Sequence, residues 1–393
     1  MNRLLVAFLF FIVIDFQAYA DAPSQESPRI ATVSEAVAKM VENKEISGAV
    51  VLVSDNGSIV HFDAQGFRDV DEALPMQKDT IFRIYSMTKP VTTVAAMMLV
   101  EEGKLALDEP VETYLPELKG IKVQKGRKRV TPQRKMTIRD LMRHTSGMTY
   151  GFFSNTPVDK LYMKSHPLYS RDNAELVEKL SGMPLLHHPG VKWHYSIATD
   201  VLGAVVERVS GKTLGDFFEQ EIFSPLGMDD TGFHVPADQV ERFASNYSPG
   251  VKLKDKYSQS RYLDSERIQS GGGGLVSTAE DYLAFSEMLR NMGEHNGTRL
   301  LEEKTVKDMT RNQLPKGVKA YGLFGFGLGF LVQLDDWGHK AHKGEYGWDG
   351  AASTHFWISP SDDLVVIALS QRQPFSNTLK QSIKPLLYKA LEG

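Results

Sequence analysis

The stretch Tyr85-Ser86-Met87-Thr88-Lys89 contains the only Ser-x-x-Lys motif of the chain and opens a helical pattern. If Ser86 lies at the start of this helix, the spacing of three places the Lys89 amine beside the Ser86 hydroxyl. The helix N-terminus also favours a developing negative charge, and a neutral, desolvated lysine can accept the serine proton. The motif indicates a serine nucleophile activated by lysine; an N-cap serine followed by a surface lysine is the alternative.

Strand patterns lie on both sides of this motif, towards the two ends of the chain. Upstream, the apolar runs Ala49 to Val53 and Ile59 to Phe62 flank Asp55-Asn56-Gly57, a strong signal for a β-hairpin. Downstream, strand signals occur at Phe326 to Leu334, Ala352 to Ile358 and Leu364 to Leu369, and a final helical pattern runs from about Asn377 to Leu391.

The middle of the chain, from Pro90 to about Leu314, is mainly helical in pattern. Terminal strands that flank a helical middle are most simply joined in one antiparallel sheet covered by helices. We therefore predict an α/β (α+β) fold with a sheet lobe formed by about residues 21–89 and 315–393 and a mostly helical lobe at about 90–314. Together these form a single catalytic domain, residues 21–393, with the site in the cleft between the lobes.

The N-terminus has the pattern of a signal peptide. Arg3 precedes the apolar run Leu4 to Ile14, and Ala18-Tyr19-Ala20 supplies small residues for cleavage. A membrane anchor is the alternative, but the run is shorter than the roughly 20 apolar residues that span a bilayer, and Asp15 interrupts it. We expect residues 1–20 to be removed, leaving a periplasmic or secreted protein without stable membrane insertion.

Composition excludes several classes of protein. The formal net charge of -4 does not favour nucleic acid, and the absence of cysteine excludes disulfides and thiolate chemistry. His187-His188 and the pair His339 and His342 lack carboxylates at metal-binding spacing, so we predict no metal and no other cofactor. No Gly-x-Ser-x-Gly motif occurs, which argues against the α/β-hydrolase route to ester cleavage. The oligomeric state stays open.

Further motifs follow the Ser86 segment in a characteristic order. They are Met-Thr-Ile-Arg-Asp-Leu-Met-Arg-His-Thr-Ser-Gly at 136–147, Trp193-His194-Tyr195-Ser196 followed by 200–203, Ser-Gly-Gly-Gly-Gly-Leu at 270–275, and Gly347-Trp348-Asp349-Gly350-Ala351. Through this ordered set the chain resembles the serine β-lactamase and penicillin-binding superfamily and is most similar to the class C β-lactamase-like carboxylesterases (family VIII esterases). The resemblance implies a β-lactamase/transpeptidase-like fold and an acyl-enzyme mechanism without a cofactor.

The resemblance assigns catalytic roles to three residues. Ser86 is the acylated nucleophile, and Lys89 and Tyr195 are the general base and acid. A phenol with a pKa near 10 is a poor base at pH 7, so Tyr195 needs a nearby cation such as Lys89, and the two should titrate as a pair. Taken by its residue type alone, Tyr195 can equally be a packed core aromatic.

The resemblance also implies how the substrate carbonyl is held. The oxyanion hole is expected from the backbone N–H groups of Ser86 and Ala351, and the third motif, Trp348, Asp349 and Gly350, is expected to contact substrate. Trp348 can alternatively be an ordinary core tryptophan on a strand. Additional aromatic residues that can line an acyl pocket are Trp337, Tyr321 and Phe324.

Two positions depart from the β-lactamase pattern. Ile197 stands where those enzymes carry an asparagine that holds the substrate amide, and Trp348 stands where they carry a lysine that meets a substrate carboxylate. Lys343 and Arg372 are candidates to replace that charge. We therefore predict a serine carboxylesterase acting on small-molecule esters. The alternatives are a β-lactamase or D-alanyl peptidase using the same nucleophile, and a non-catalytic binding protein of the same fold.

Overall fold

The computed structural model describes residues 30–391, so the predicted signal peptide lies outside the described residues. The strands are β1 (Gly48–Asp55), β2 (Ser58–Asp69), β3 (Leu74–Pro75), β4 (Phe82–Arg83), β5 (Val123–Lys125), β6 (Lys128–Val130), β7 (Asn246–Ser248), β8 (Lys252–Asp255), β9 (Val276–Ser277), β10 (Glu294–His295), β11 (Thr298–Arg299), β12 (Gly325–Phe326), β13 (Leu331–Val332), β14 (Tyr346–Gly350), β15 (Thr354–Ser359) and β16 (Leu364–Ser370). The helices are α1 (Ala31–Glu42), α2 (Thr88–Glu101), α3 (Val111–Tyr114), α4 (Ile138–Met142), α5 (Pro157–Ser165), α6 (Asn173–Ser181), α7 (Ala198–Ser210), α8 (Leu214–Phe218), α9 (Ser224–Leu226), α10 (Ala279–Arg290), α11 (Glu303–Thr310) and α12 (Thr378–Leu391).

The main sheet joins the two ends of the described chain, as the sequence predicts. Its eight strands have the order β12-β13-β14-β15-β16-β1-β2-β3, and the pairings are antiparallel. The contact between the two ends is the long pairing of β1 with β16, in which Val51 lies opposite Ala368. The predicted α/β fold with a large antiparallel sheet is therefore confirmed.

The predicted hairpin forms β1 and β2, which turn at Asn56 and Gly57. Both turn residues have positive φ, 50° and 76°, the conformation that an Asn-Gly turn provides. The single predicted strand from Phe326 to Leu334 is wrong in extent. The chain reverses between β12 and β13, where the Gly327 N–H donates to the Phe330 carbonyl, and Gly329 has a φ of 93°.

Alternation along the strands divides the core between the two faces of the sheet. Trp357, Val366 and Ala368 face α1 and α12 and pack with their apolar residues. Phe356 and Ile367 face the opposite side, in the core that includes the buried helix α2. Each large apolar side chain buried in this way contributes about 1.5–3 kcal/mol. On this side α10 packs against β16 and β1, and α2 lies in the same core.

Helix α2 lies in the interior of the protein. Its residues from Thr88 to Met97 are all buried, including Lys89, and α7 packs against it. Most of α2 and all of α7 lie within the middle region that the sequence predicts to be mainly helical. Within residues 30–391, no helix combines the length and hydrophobicity required to cross a membrane.

Candidate active site

Ser86 lies in a single 3₁₀ turn, Tyr85–Met87, that leads into α2. Tyr85 has a φ of 42°, an unusual conformation for a residue with a side chain, so the chain changes direction sharply just before the serine. The turn is held by the Thr88 hydroxyl, which donates to the Tyr85 carbonyl at 2.6 Å, and by the Tyr282 hydroxyl, which donates to the Met87 carbonyl at 2.8 Å. These bonds hold Ser86 at the start of the helix.

Lys89 is brought to Ser86 by the helical spacing, as predicted. Its Nζ lies 3.2 Å from the Ser86 Oγ and 2.5 Å from the carbonyl oxygen of Gly272. The side chain is only 1% exposed. Burial lowers the pKa of Lys89 to about 7, although the Asp200 carboxylate opposes the shift. A substantial fraction of the amine is therefore neutral near pH 7 and able to accept a proton.

The glycine run after Ser270 forms a tight turn beside Lys89. Asp200 holds this turn, since its Oδ1 accepts hydrogen bonds from the Ser270 hydroxyl and from the Gly272 N–H at 3.1 Å. A Cβ on Gly272 would lie 2.2 Å from Asp200 Oδ2, so this position requires glycine. Burial raises the pKa of Asp200, and the nearby Lys89 opposes that shift. The turn presents the carbonyl oxygen that fixes the Lys89 amine.

Tyr195 completes the group around the nucleophile. Its hydroxyl lies 2.6 Å from the Ser86 Oγ, and its ring packs against His144 at 4.8 Å and Trp348 at 5.3 Å between ring centroids. Burial raises the pKa of Tyr195 well above 10, although the hydrogen bond to Ser86 opposes the shift. Because burial shifts Lys89 in the opposite direction, a neutral amine beside a protonated phenol is the favoured state of the pair.

The third motif lies at the end of β14, against the segment that precedes Ser86. A Cβ on Gly350 would lie 2.3 Å from the Ile84 carbonyl oxygen and 2.1 Å from Thr354 Oγ1, so only glycine permits this approach. Ala351 follows directly and is exposed. This close approach is what an oxyanion hole formed by the backbone amides of Ser86 and Ala351 requires.

Asp349 requires a correction to the predicted set of substrate contacts. Trp348 faces Tyr195, so the next residue of the strand points to the opposite face of the sheet. There the Asp349 carboxylate lies 2.7 Å from His355 Nδ1 and 3.0 Å from Lys380 Nζ. Its side chain thus connects β14 to β15 and to α12, and it does not line the cleft around Ser86.

The two candidate replacements for the missing cation are not part of the Ser86 group. Lys343 precedes Tyr346, at the end of β14 opposite to Gly350. The Arg372 guanidinium donates to the Pro374 carbonyl at 2.7 Å. Across residues 30–391, Lys89 is the only cation that contacts the Ser86 hydroxyl, and neither candidate touches that oxygen.

Aromatic residues surround Tyr195, and sequence reasoning missed several of them. Tyr150 and Phe153 contact the Tyr195 ring at 5.4 and 5.5 Å between centroids. Tyr321, which the sequence suggested as a pocket residue, contacts Trp193 at 4.6 Å between centroids. This contact places Tyr321 next to the segment that carries Tyr195. The signal for the missed residues was the uncharged run after Gly147, whose loop shape sequence patterns do not specify.

The fold that brings Ser86, Lys89 and Tyr195 together is the serine hydrolase fold of the β-lactamase/transpeptidase type. The Beta-lactamase family model matches residues 33–383, and the chain therefore belongs to the Beta-lactamase family. The predicted family resemblance is confirmed. Within that family the chain is an enzyme, because its relatives carry the names of esterases and acyltransferases.

The chain is similar to characterised proteins over most of its length. It is 33% identical to Esterase EstB of Burkholderia gladioli over 84% of this chain and 87% of that protein. It is 28% identical to monacolin J acid methylbutanoyltransferase of Aspergillus terreus, over 91% of this chain and 94% of that protein. The solved structure of EstCE1, a hydrolase with promiscuous acyltransferase activity, aligns with a TM-score of 0.80 and 28% identity, covering 92% of this chain and 98% of EstCE1.

Proposed function

We propose that the protein hydrolyses carboxylic esters of small molecules through an acyl-enzyme on Ser86, with Lys89 and Tyr195 as its base and acid. The observation that carries the proposal is the position of the Ser86 Oγ, 3.2 Å from Lys89 Nζ and 2.6 Å from the Tyr195 hydroxyl. Both distances are suitable for proton transfer. The similarity to an enzyme named Esterase EstB supports the ester as substrate.

Acylation begins with transfer of the Ser86 proton to the neutral Lys89 amine while Oγ attacks the ester carbonyl carbon. The new C–O bond forms as the carbonyl electron pair moves to oxygen, and the resulting oxyanion accepts hydrogen bonds from the Ser86 and Ala351 amides. Collapse breaks the bond to the alcohol oxygen, which takes a proton from Tyr195. Lys89 then returns its proton to Tyr195, and the pair regains its starting state.

Deacylation repeats the sequence with water in place of Ser86. Water attacks the acyl carbon and transfers a proton to the Lys89 and Tyr195 pair, and the Ser86 oxygen leaves with a proton from that pair. The products are a carboxylic acid and an alcohol. Every proton is supplied by the substrate, water or these three residues, so the proposed route uses no cofactor.

Two positions near the nucleophile support a preference for esters over β-lactams. Trp348 occupies the third-motif position, where a lysine would bind a substrate carboxylate. Its ring lies 5.3 Å from the Tyr195 ring between centroids. Ile197, at the position of the amide-binding asparagine, is fully buried. Esters need neither group, whereas β-lactams and D-alanyl peptides carry both a carboxylate and an amide.

The decisive experiment compares purified wild-type protein with Ser86→Ala on p-nitrophenyl esters and a chromogenic cephalosporin. We expect ester turnover that falls by about 10³-fold or more in Ser86→Ala, with an unchanged melting temperature. Ser58→Ala, which removes an exposed hydroxyl in the hairpin, is the matched control and should retain full activity. Ester hydrolysis that survives in Ser86→Ala would sink the mechanism, and Ser86-dependent cephalosporin cleavage that exceeds ester turnover would favour the β-lactam alternative.

We also propose that the protein is exported, on the basis of the charged, apolar and small-residue pattern of residues 1–20. Expression of the full chain in a Gram-negative host, followed by fractionation and intact-mass measurement, tests this. A periplasmic species shortened by 20 residues is expected. Retention of residues 1–20 in the cytoplasmic fraction would contradict export and would leave the ester chemistry unaffected.

A further inference from the structure

A cluster of three aromatic residues, Tyr150, Phe152 and Phe153, lies beside Tyr195 and is called here the aromatic rim. Phe152 and Phe153 are 56% and 53% exposed. Single exposed apolar residues are ordinary, but these two contact each other at 4.6 Å between ring centroids, and Tyr150 stacks on Phe152 at 5.1 Å. The rim is thus a continuous apolar surface open to solvent.

The aromatic rim reaches the group that we propose to be the proton donor. The Tyr150 and Phe153 rings lie 5.4 and 5.5 Å from the Tyr195 ring, whose hydroxyl lies 2.6 Å from Ser86 Oγ. Tyr150 is itself only 8% exposed and turns its hydroxyl towards Asp200, at 3.5 Å. The rim therefore presents ring faces and edges, and not this hydroxyl, along a path from solvent to the reacting atoms.

The geometry of the tetrahedral intermediate in acylation indicates which part of the substrate lies beside the aromatic rim, namely the alcohol. The oxyanion points to the end of β14, where Gly350 lies against the segment before Ser86, and Trp348 of the same strand packs on Tyr195. The leaving oxygen must instead lie at the Tyr195 hydroxyl to receive its proton. The alcohol carbon chain then lies beside the Tyr195 ring, which Phe153 contacts at 5.5 Å between centroids.

The segment that forms the rim carries no charged side chain of its own. Residues 147–157 contain no charged side chain. The nearest carboxylate in sequence, Asp159, is buried and accepts hydrogen bonds from the Thr149 hydroxyl at 2.7 Å and the Thr156 hydroxyl at 2.6 Å. Its oxygens are thus committed to the loop that carries the rim, and the surface left for a ligand is apolar.

We propose that the aromatic rim binds the alcohol portion of the substrate and that this alcohol is neutral and aromatic, or similarly bulky and apolar. The inference rests on the proposed function, because it needs the Ser86 acyl-enzyme. The same surface then accepts such an alcohol in place of water. Its oxygen bonds to the acyl carbon, its proton passes to the Lys89 and Tyr195 pair, and the bond to Ser86 breaks, so that an ester is released and no further reactant is needed.

Partition of one acyl-enzyme between two alcohols tests this directly. Vinyl acetate supplies the acetyl group with a small leaving group, and equal concentrations of methanol and 2-phenylethanol compete for it. The ratio of phenethyl acetate to methyl acetate, measured by gas chromatography, does not depend on how much acyl-enzyme is present. We expect 2-phenylethanol to win in the wild type and the ratio to fall about tenfold in Phe152→Ala/Phe153→Ala, which loses two aromatic contacts.

The control and the outcomes separate this inference from the proposed function. Ile59→Ala removes a side chain that is 45% exposed beside the β1–β2 turn, and it should keep the wild-type ratio. An equal ratio in wild type and the double variant, or no preference in the wild type, overturns the role of the rim. If the wild type instead releases no acetate from vinyl acetate in a Ser86-dependent manner, the proposed function itself fails, and the inference fails with it.

Discussion

The Tyr195 hydroxyl lies 2.6 Å from the Ser86 Oγ, across 109 positions of sequence. The contact joins the turn before α2 to the segment before α7, two helices that pack against each other. Lys89 approaches the same oxygen from within α2, at 3.2 Å. Lys89 is therefore positioned by local helical spacing and Tyr195 by helix packing, so the two residues can be tested separately.

Tyr195→Phe should reduce kcat by about 10²–10⁴-fold with little change in KM, because only the proton donor is removed. The ring that packs on His144 and Trp348 remains, so the melting temperature should change little. Steady-state kinetics on a p-nitrophenyl ester provides the measurement. Tyr162→Phe, at another buried tyrosine, is the control and should retain activity. Equal activity in both variants would remove Tyr195 from the mechanism.

The pH dependence of kcat should follow Lys89. Because burial lowers its pKa to about 7, activity should fall as the pH decreases below 7, by up to about tenfold per unit, as the amine gains a proton. A pH–rate profile from 5 to 9 provides the measurement. A flat profile across this range would show that Lys89 is not the base.

The lowered pKa of Lys89 also makes the stability of the fold depend on pH. Between the folded pKa of about 7 and the ordinary value of 10.5, the unfolded chain binds more protons than the folded chain, so the free energy of unfolding rises with pH. Relative to that of Lys89→Met, the free energy of unfolding of the wild type should increase by about 1.4 kcal/mol per pH unit within this window. Urea unfolding at pH 7.5, 8.5 and 9.5 measures the difference, and parallel curves for the two proteins would contradict the burial of a neutral lysine.

Gly350→Ala should lower kcat and destabilise the fold by about 1–3 kcal/mol, because the new Cβ would overlap the Ile84 carbonyl and Thr354 Oγ1. Relief of the overlap moves β14 away from Ser86 and widens the predicted oxyanion hole. Gly182→Ala, where no atom lies within 4 Å of the added Cβ, should stay within about 0.5 kcal/mol of the wild type. Full activity in Gly350→Ala would argue against an oxyanion role for this strand end.

Asp349→Asn should reduce the free energy of unfolding by about 1–3 kcal/mol at pH 7, since Lys380 and His355 lose their anionic partner. Burial alone would raise the pKa of Asp349, but these two neighbours lower it well below the usual 3.8. The advantage of the wild type is therefore present above about pH 4 and decreases as the pH falls further.

Chemical denaturation at pH 7 and pH 3.5 measures this dependence on Asp349. Asp71→Asn, at an exposed aspartate, is the control and should be neutral within about 0.5 kcal/mol. A difference between wild type and Asp349→Asn that stays constant from pH 7 to pH 3.5 would contradict the pairing with Lys380 and His355.

Those properties that depend on neighbours in sequence could be predicted from the sequence by itself. The three-residue spacing of Ser86 and Lys89 determines that both lie on one side of a helix turn, and Asn56-Gly57 determines the turn of the hairpin. The ordered motifs determined the family, and the strand patterns on both sides of a helical middle determined the pairing of the terminal strands in one sheet. For these features the short-range pattern carries the physical information.

Only the tertiary structure decided which groups face the nucleophile. Asp349 was expected to contact substrate, but strand alternation directs it to Lys380, because neighbouring residues of a strand point to opposite faces. The lowered pKa of Lys89 depends on complete burial, and the contact of Phe153 with Tyr195 depends on the path of a loop. Burial and long-range contact are set by packing between distant segments, and a linear motif contains neither.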